Sequence, residues 1–371
     1  MVTSYKNILV IRADNLGDLL MSSPAIRALK ETYHSNITVL TSSMATGIAR
    51  LIPEVDDVIT YDLPWIKSNN ATGAETITEI VEIIKQRKFD AAFIFTVFSQ
   101  NPLPAGMLAY MAQIPVRVAY CRENPYDLLT HWLPDKEPYT FILHQVERDL
   151  NLVEFIGAQT SNKKISLRVP EEAWEKTKES LEGAGVDLSK RWLIFHAGVS
   201  EKKREYPQEL WIEAAKTMIE EHHYQVLFTG SSSEKSIIDE LAFKTGKGSF
   251  SLGGILKLDE FIALIEKAPV VVSVNTGTIH IAAAMQTPVV VLYAQTNPQH
   301  SPWQVPHTIL EYEVPEELRS KNEVIQYLYK TVYNKEVKLP LANDIVNAVL
   351  DLLHKKDTRS VTQISDRLFT K

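Results

Sequence analysis

The sequence predicts an α/β protein built from two parallel-sheet domains. Short β-branched apolar runs alternate with amphipathic helical stretches, and the runs are continuously apolar. The same pattern restarts after a Glu- and Lys-rich segment at residues 170–190. Strands read as unbroken apolar runs when helices cover both faces of a parallel sheet. A length of 371 residues suits two domains, each large enough to bury its own core.

In the first half the strand candidates are residues 7–12, 37–41, 57–61, 91–95 and 117–119, with helical patterns at 18–33, 44–52, 75–87 and 105–113. In the second half the predicted strands are 192–196, 225–228, 270–274 and 288–293. Helices are expected there at 208–221, 234–244, 258–267 and 278–285, with a last one at 342–354. The linker falls near 161–170, which gives domains of 1–165 and 166–345. The remainder, 346–371, is expected to be a C-terminal helix and a polar tail, weakly ordered or docked on the first domain.

Composition narrows the function. Apolar residues make up 45% and charged residues 23%, which is ordinary for a soluble globular chain. A net charge of −7 does not favour nucleic acid, whose phosphates are bound by clustered Lys and Arg. The single cysteine, Cys121, forms no internal disulfide and fits a reducing compartment. The apolar run at 8–11 is too short for a signal peptide, and no window approaches 18 apolar residues. A cytoplasmic protein is expected, and peripheral contact with the inner membrane surface is compatible with that.

Four strand-end loops carry the polar chemistry. The first, IRADNLGDLL from Ile11, places Asn15, Gly17 and Asp18 where a strand meets a helix. Ligands of doubly wound sheets bind outside the carboxyl ends of strands, and helix-start N–H groups favour anions there. Asp18 reads either as a helix-start acid or as a catalytic carboxylate. The loop is not GxGxxG, so dinucleotide binding is poorly supported. The second, HAGVSEKKREYP from His196, offers Lys202, Lys203 and Arg204 to a pyrophosphate, or displays them to solvent. The third, FTGSSSE, holds Gly230 and Glu234 as a close nucleotide approach or a plain helix cap. The fourth, VNTGTIH, converges Asn275, Thr276, Gly277, Thr278 and His280 on a helix start, an arrangement suited to diphosphate oxygens. No Cys/His cluster has zinc spacing, no DxD pair would hold a cation on a diphosphate, and no GxSxG elbow is present. No metal and no cofactor are therefore expected.

These segments, with LHQVERDLNLVEFIG and SLGGILKLDEFIALIEKAP, agree in order and spacing with one family. Over residues 6–157 and 192–303 the chain resembles glycosyltransferase family 9, the ADP-heptose:lipopolysaccharide heptosyltransferases. The resemblance implies a GT-B fold: two Rossmann-like parallel-sheet domains facing a cleft, with the acceptor on the first and the nucleotide-sugar on the second. It implies inversion without metal in cell-envelope polysaccharide synthesis, from a donor expected to be ADP-linked to a saccharide or lipid-linked acceptor. The family's proposed base falls on Asp18, with Asn15 and Gly17 on the acceptor side. Its donor motif falls on Asn275, Thr276, Gly277 and His280, and its basic residue falls near Arg204. Two positions depart from the pattern. Asn275 stands where an acid is usual, which removes a negative charge beside the donor. The usual Lys is displaced or replaced within Lys202-Lys203-Arg204. Acceptor contacts are expected from loops 64–72 and 98–104, with Lys67 or Arg122 meeting an anionic group. The alternatives are a nucleotide-sugar epimerase and a non-catalytic nucleotide-sugar-binding module.

Overall fold

A computed structural model describes residues 4–66, 73–199 and 201–354. The chain divides into two compact units between Arg168 and Val169. Lys67, the rest of its loop to residue 72 and the polar tail lie outside the described residues.

In the first unit β1 (Asn7–Ile11), β2 (Asn36–Thr41), β3 (Asp57–Thr60), β4 (Ala91–Ile94), β5 (Val116–Cys121) and β6 (His131–Pro134) form a sheet in the order β3-β2-β1-β4-β5-β6. Every pairing in it is parallel. The helices are α1 (Leu16–Tyr33), α2 (Thr46–Ala49), α3 (Glu75–Gln86), α4 (Leu103–Met111) and α5 (Gln145–Glu154). Helix α1 is buried through almost its whole length, because it packs on the sheet while α5 and α2 cover it.

The second unit opens with α6 (Ala173–Gly183). Its strands are β7 (Trp192–His196), β8 (Gln225–Thr229), β9 (Ser249–Ser251), β10 (Val271–Val274), β11 (Val289–Ala294) and β12 (His307–Tyr312). Their order is β12-β11-β10-β7-β8-β9, again with every pairing parallel. The helices are α7 (Gln208–Glu220), α8 (Lys235–Thr245), α9 (Leu258–Lys267), α10 (Gly277–Met285), α11 (Glu323–Thr331) and α12 (Ala342–His354). Renumbered from its own first strand, this sheet has the order of the first one.

The central strands β1, β4, β10 and β11 are buried nearly throughout, which is why they read as apolar runs. Edge strands β6, β9 and β12 are half-exposed and carry His131, Pro134, Ser249 and Glu311, so their sequences show no such run. Ala342, Ile345, Val346, Val349 and Leu352 of α12 belong to the core of the second unit, packed on α7, β11 and β12. Helix α1 begins two residues earlier than expected, so Gly17 and Asp18 sit inside its first turn.

Candidate functional site

Each sheet has one place where neighbouring strands leave in opposite directions. In the first unit it is β1, flanked by β2 and β4; in the second it is β7, flanked by β8 and β10. Loops leaving the carboxyl ends at such a reversal diverge and open a crevice for ligands.

In the first unit that loop runs from Arg12 to Asn15. Asn15 is the N-cap of α1 in extended conformation, and its side chain makes no capping bond. Asp18 lies one turn on, 8% exposed, with Oδ1 3.3 Å from Arg12 Nη2. Arg12 is fully buried and also places Nε 3.2 Å from Asp14 Oδ2. Asp14 accepts a bond from Gln100 Nε2 at 2.6 Å. From α5, Asp149 accepts from Ser22 Oγ at 2.6 Å and from Gln145 Nε2 at 2.8 Å. Its neighbour Arg148 donates Nε to the Thr96 carbonyl at 3.0 Å and pairs with Asp135 and Glu137. Burial raises Asp149 above the usual carboxylate range, against the opposing charge of Arg12. A bare first-turn acid would need none of this surround; Asp18 sits in a buried charge network instead.

Arg122 is exposed, but its guanidinium already has partners. Its Nη2 donates to the carbonyls of Phe98 and Glu137, and its guanidinium lies 5.4 Å from the Tyr139 ring. The 98–104 loop reaches the site through Gln100 alone among the contacts named above.

In the second unit Lys202–Arg204 form a short 3-10 turn after β7. Lys203 Nζ and Arg204 Nη2 each lie 3.3 Å from the same Glu201 oxygen. Arg204 Nε is buried with no hydrogen-bond partner among the described residues. The Arg204 carbonyl accepts from the Tyr312 hydroxyl at 2.7 Å. Burial raises Tyr293 and Tyr312, and the charge of Arg204 acts against that rise in both. Of the three cations, Arg204 is thus the one placed over the carboxyl ends of β11 and β12.

Across β10, Thr276 caps α10 in extended conformation, and its side chain makes no capping bond. Its Oγ1 is buried without a hydrogen-bond partner among the described residues. The first-turn N–H groups of a helix have no intrahelical acceptors, so Gly277 and Thr278 present donors beside that hydroxyl. The His280 ring lies 6.2 Å from His300, edge to face.

Asn275 turns inward rather than toward this helix start. Nδ2 donates to the Ala294 carbonyl and to Thr296 Oγ1, both at 3.0 Å, while Oδ1 accepts from Ala294 N at 3.2 Å. Its amide therefore pairs with both backbone groups of Ala294 and ties the β10 loop to β11.

Glu234 is likewise occupied. Its Oε2 accepts from Ser231 N at 2.6 Å and Ser231 Oγ at 2.7 Å, a capping box at the start of α8. A β-carbon at Gly198 would collide with this carboxylate, and one at Gly230 would press on Ile238. The turn therefore has the geometry of a helix cap, the plainer of its two readings. Beside it His196 Nδ1 lies 2.9 Å from Thr229 Oγ1, and burial pushes the ring down to about 4 against the nearby Glu234 charge.

The structure thus gathers Arg204, Asn275, Thr276, Gly277, Thr278 and His280 around the ends of β10 and β11. It sets Gly230 and Glu234 on the other flank of β7. Sequence reasoning missed Arg12, Asp14, Gln145 and Asp149. Their signal was available: a charged pair closing an apolar strand, and polar residues on the inward face of a helical repeat in LHQVERDLNLVEFIG. Among the described residues no group of three or more His, Cys, Asp or Glu side chains is arranged to hold a metal ion. Among them, too, no helix is long and apolar enough to cross a membrane.

Comparison with known proteins agrees with this arrangement. A lipopolysaccharide heptosyltransferase 2 of Salmonella typhimurium is 26% identical over 306 residues, 80% of this chain and 84% of that protein. A glycosyl transferase family 9 structure from Veillonella parvula superposes with a TM-score of 0.76 at 17% identity, covering 96% of this chain and 99% of its own. The Escherichia coli ADP-heptose lipopolysaccharide heptosyltransferase II structure gives 0.70 at 20% identity, covering 95% and 100%. Both likenesses support the GT-B fold. The family model described as glycosyltransferase family 9 (heptosyltransferase) matches residues 77–326. The chain belongs to glycosyltransferase family 9 and is a glycosyltransferase of the heptosyltransferase type.

Proposed function

We propose that this enzyme inverts a heptose-like sugar from an ADP-linked donor onto a saccharide or lipid-linked acceptor of the cell envelope, without a metal ion. The observation that carries the reading is the pair of dissimilar strand-end loops: a buried carboxylate network at β1 and a cation with an open helix start at β7 and β10. The named activities of the Salmonella and Escherichia relatives support the donor and the lipopolysaccharide acceptor. The reading makes the enzyme cytoplasmic, working at the inner membrane surface.

In this mechanism Asp18 accepts the proton of the acceptor hydroxyl as the new C1–O bond forms, because a neutral hydroxyl is a poor nucleophile. Asn15 and Gly17 line the same turn on the acceptor side. The bond from C1 to the diphosphate breaks on the opposite face, and the leaving ADP collects negative charge. Arg204, with Lys203 or Lys202 beside it, the Thr276 hydroxyl and the α10 N–H groups at Gly277 and Thr278 meet that charge. His280 lines the same loop. Gly230 fits the neighbouring turn against Ile238, and Glu234 holds that turn through its cap. Asn275 contributes by fixing the loop through Ala294 and Thr296.

The test is incubation of the full chain with ADP-heptose and a heptose-accepting lipopolysaccharide core. Heptosylated product with inverted configuration, unchanged by EDTA, is expected. Asp18→Asn should lower kcat by about 10²–10⁴-fold. Wild-type turnover by Asp18→Asn would remove the base assignment, and an epimer formed without acceptor would replace transfer altogether.

A further inference from the structure

Arg12 has more charge partners than a single contact to Asp18 requires. It is fully buried just beyond β1, and Asp14, Asp18 and Asp149 all act on it. Two of these carboxylates are anchored by other elements: Asp14 by Gln100, and Asp149 by Ser22 and Gln145 with the Arg148 charge nearby. Arg148 itself is committed to Asp135 and Glu137. One guanidinium among three buried carboxylates leaves surplus negative charge away from water. Such a cluster keeps a proton on one member near neutral pH. Burial pushes Asp14 up to about 6; Arg12 and the Gln100 bond oppose this, while Asp18 and Asp149 add to it.

We propose that Arg12 is the positioning residue of Asp18 and that Asp14 competes with Asp18 for its guanidinium. The separations of 3.2 Å to Asp14 and 3.3 Å to Asp18 show one cation shared between the two. When Asp14 takes up a proton, the guanidinium is released to Asp18, which is then held ionised and fixed toward the end of β1. When Asp14 is ionised, its charge and its claim on Arg12 both raise the proton affinity of Asp18. The first unit thus contains its own control on the strength of the base. This rests on the reading of Asp18 as the base.

Carbon-13 NMR of the full chain labelled at aspartate Cγ reads the coupling directly, with the Asp18 signal assigned by Asp18→Asn. Asp14→Asn should lower the Asp18 titration midpoint by about 1 pH unit, because it removes a like charge and frees Arg12. Arg12→Met should raise it by about 1–3 pH units, and Arg12→Lys should fall between Arg12→Met and the wild type. If Arg12→Met does not fold, Asp14→Asn and Arg12→Lys decide the matter, since each keeps shape or charge. An Asp18 midpoint that neither of those two variants moves overturns the proposal. With ADP-heptose and core acceptor, the acidic limb of the kcat profile should follow the NMR midpoint. If the midpoint moves and that limb does not, the coupling stands and the base assignment fails instead.

Discussion

Replacing Asn275 by aspartate alters one terminal group and nothing in size, so the outcome reports on its hydrogen bonds. Asn275 Oδ1 accepts from Ala294 N at 3.2 Å, and an aspartate keeps that bond. What is lost is Nδ2, which donates to the Ala294 carbonyl and to Thr296 Oγ1 at 3.0 Å. The Thr296 hydroxyl can turn and donate to the new carboxylate. The Ala294 carbonyl cannot, and it would face a negative oxygen inside the protein, since Ala294 is fully buried. An unsatisfied buried acceptor costs about 1–3 kcal/mol, and a poorly solvated charge adds to it, so Asn275→Asp should cost about 2–4 kcal/mol at pH 8. The folded state would hold the new carboxyl above its unfolded value near 4. The sign of the linkage follows: the penalty is greatest at high pH and shrinks as pH falls and the protonated group recovers a donor. Urea unfolding at pH 8 and pH 5, followed by tryptophan fluorescence, measures both terms. Equal stability of Asn275→Asp and wild type at pH 8 would refute the clamp. So would a penalty that does not change with pH.

Three other outcomes are expected. Arg148→Met leaves buried Glu137 without its guanidinium and Asp135 with Arg122 alone, at 3.7 Å, so the first unit should lose about 3–5 kcal/mol by chemical denaturation. His196, pushed down to about 4 by burial, should stay neutral at pH 6 by imidazole NMR. Because its folded value lies below the unfolded one, its contribution is complete above pH 6.5 and is lost as pH falls toward 4. Thr276→Val removes a hydroxyl whose Oγ1 is buried and unbonded; ADP affinity should fall about 5–30-fold by calorimetry with folding unchanged. An unaltered affinity would remove Thr276 from the phosphate site.

The central architecture was legible because burial on both faces leaves a mark that needs no context. VVVLY in β11 and ILVI in β1 have few alternatives to a covered parallel strand. Of the edges, β3 was legible at 57–61, whereas β6, β9 and β12 were not, since they owe their pairing to a neighbour and not to their own apolarity. The same division holds at the site. Thr276 and Gly277 could be named because a helix start after a buried strand has a local signature. The network around Asp18 could not, because Asp149 lies 127 positions from Ser22, which it bonds, and reaches the network only through the packing of α5 on α1. Asn275 and Glu234 show the converse: polar residues in the right loop whose side chains serve the loop itself.

The shared strand order makes residue 12 and residue 197 topological counterparts, each the first beyond its unit's leading strand. The segments that begin there have opposite electrical character. Arg12, Asp14 and Asp18 sum to one negative charge, whereas Glu201, Lys202, Lys203, Arg204 and Glu205 sum to one positive charge. Two sheets of the same strand order thus carry leading loops of opposite charge. Under the proposed function, altering donor preference and altering acceptor preference become separable tasks, each confined to the loops of one half.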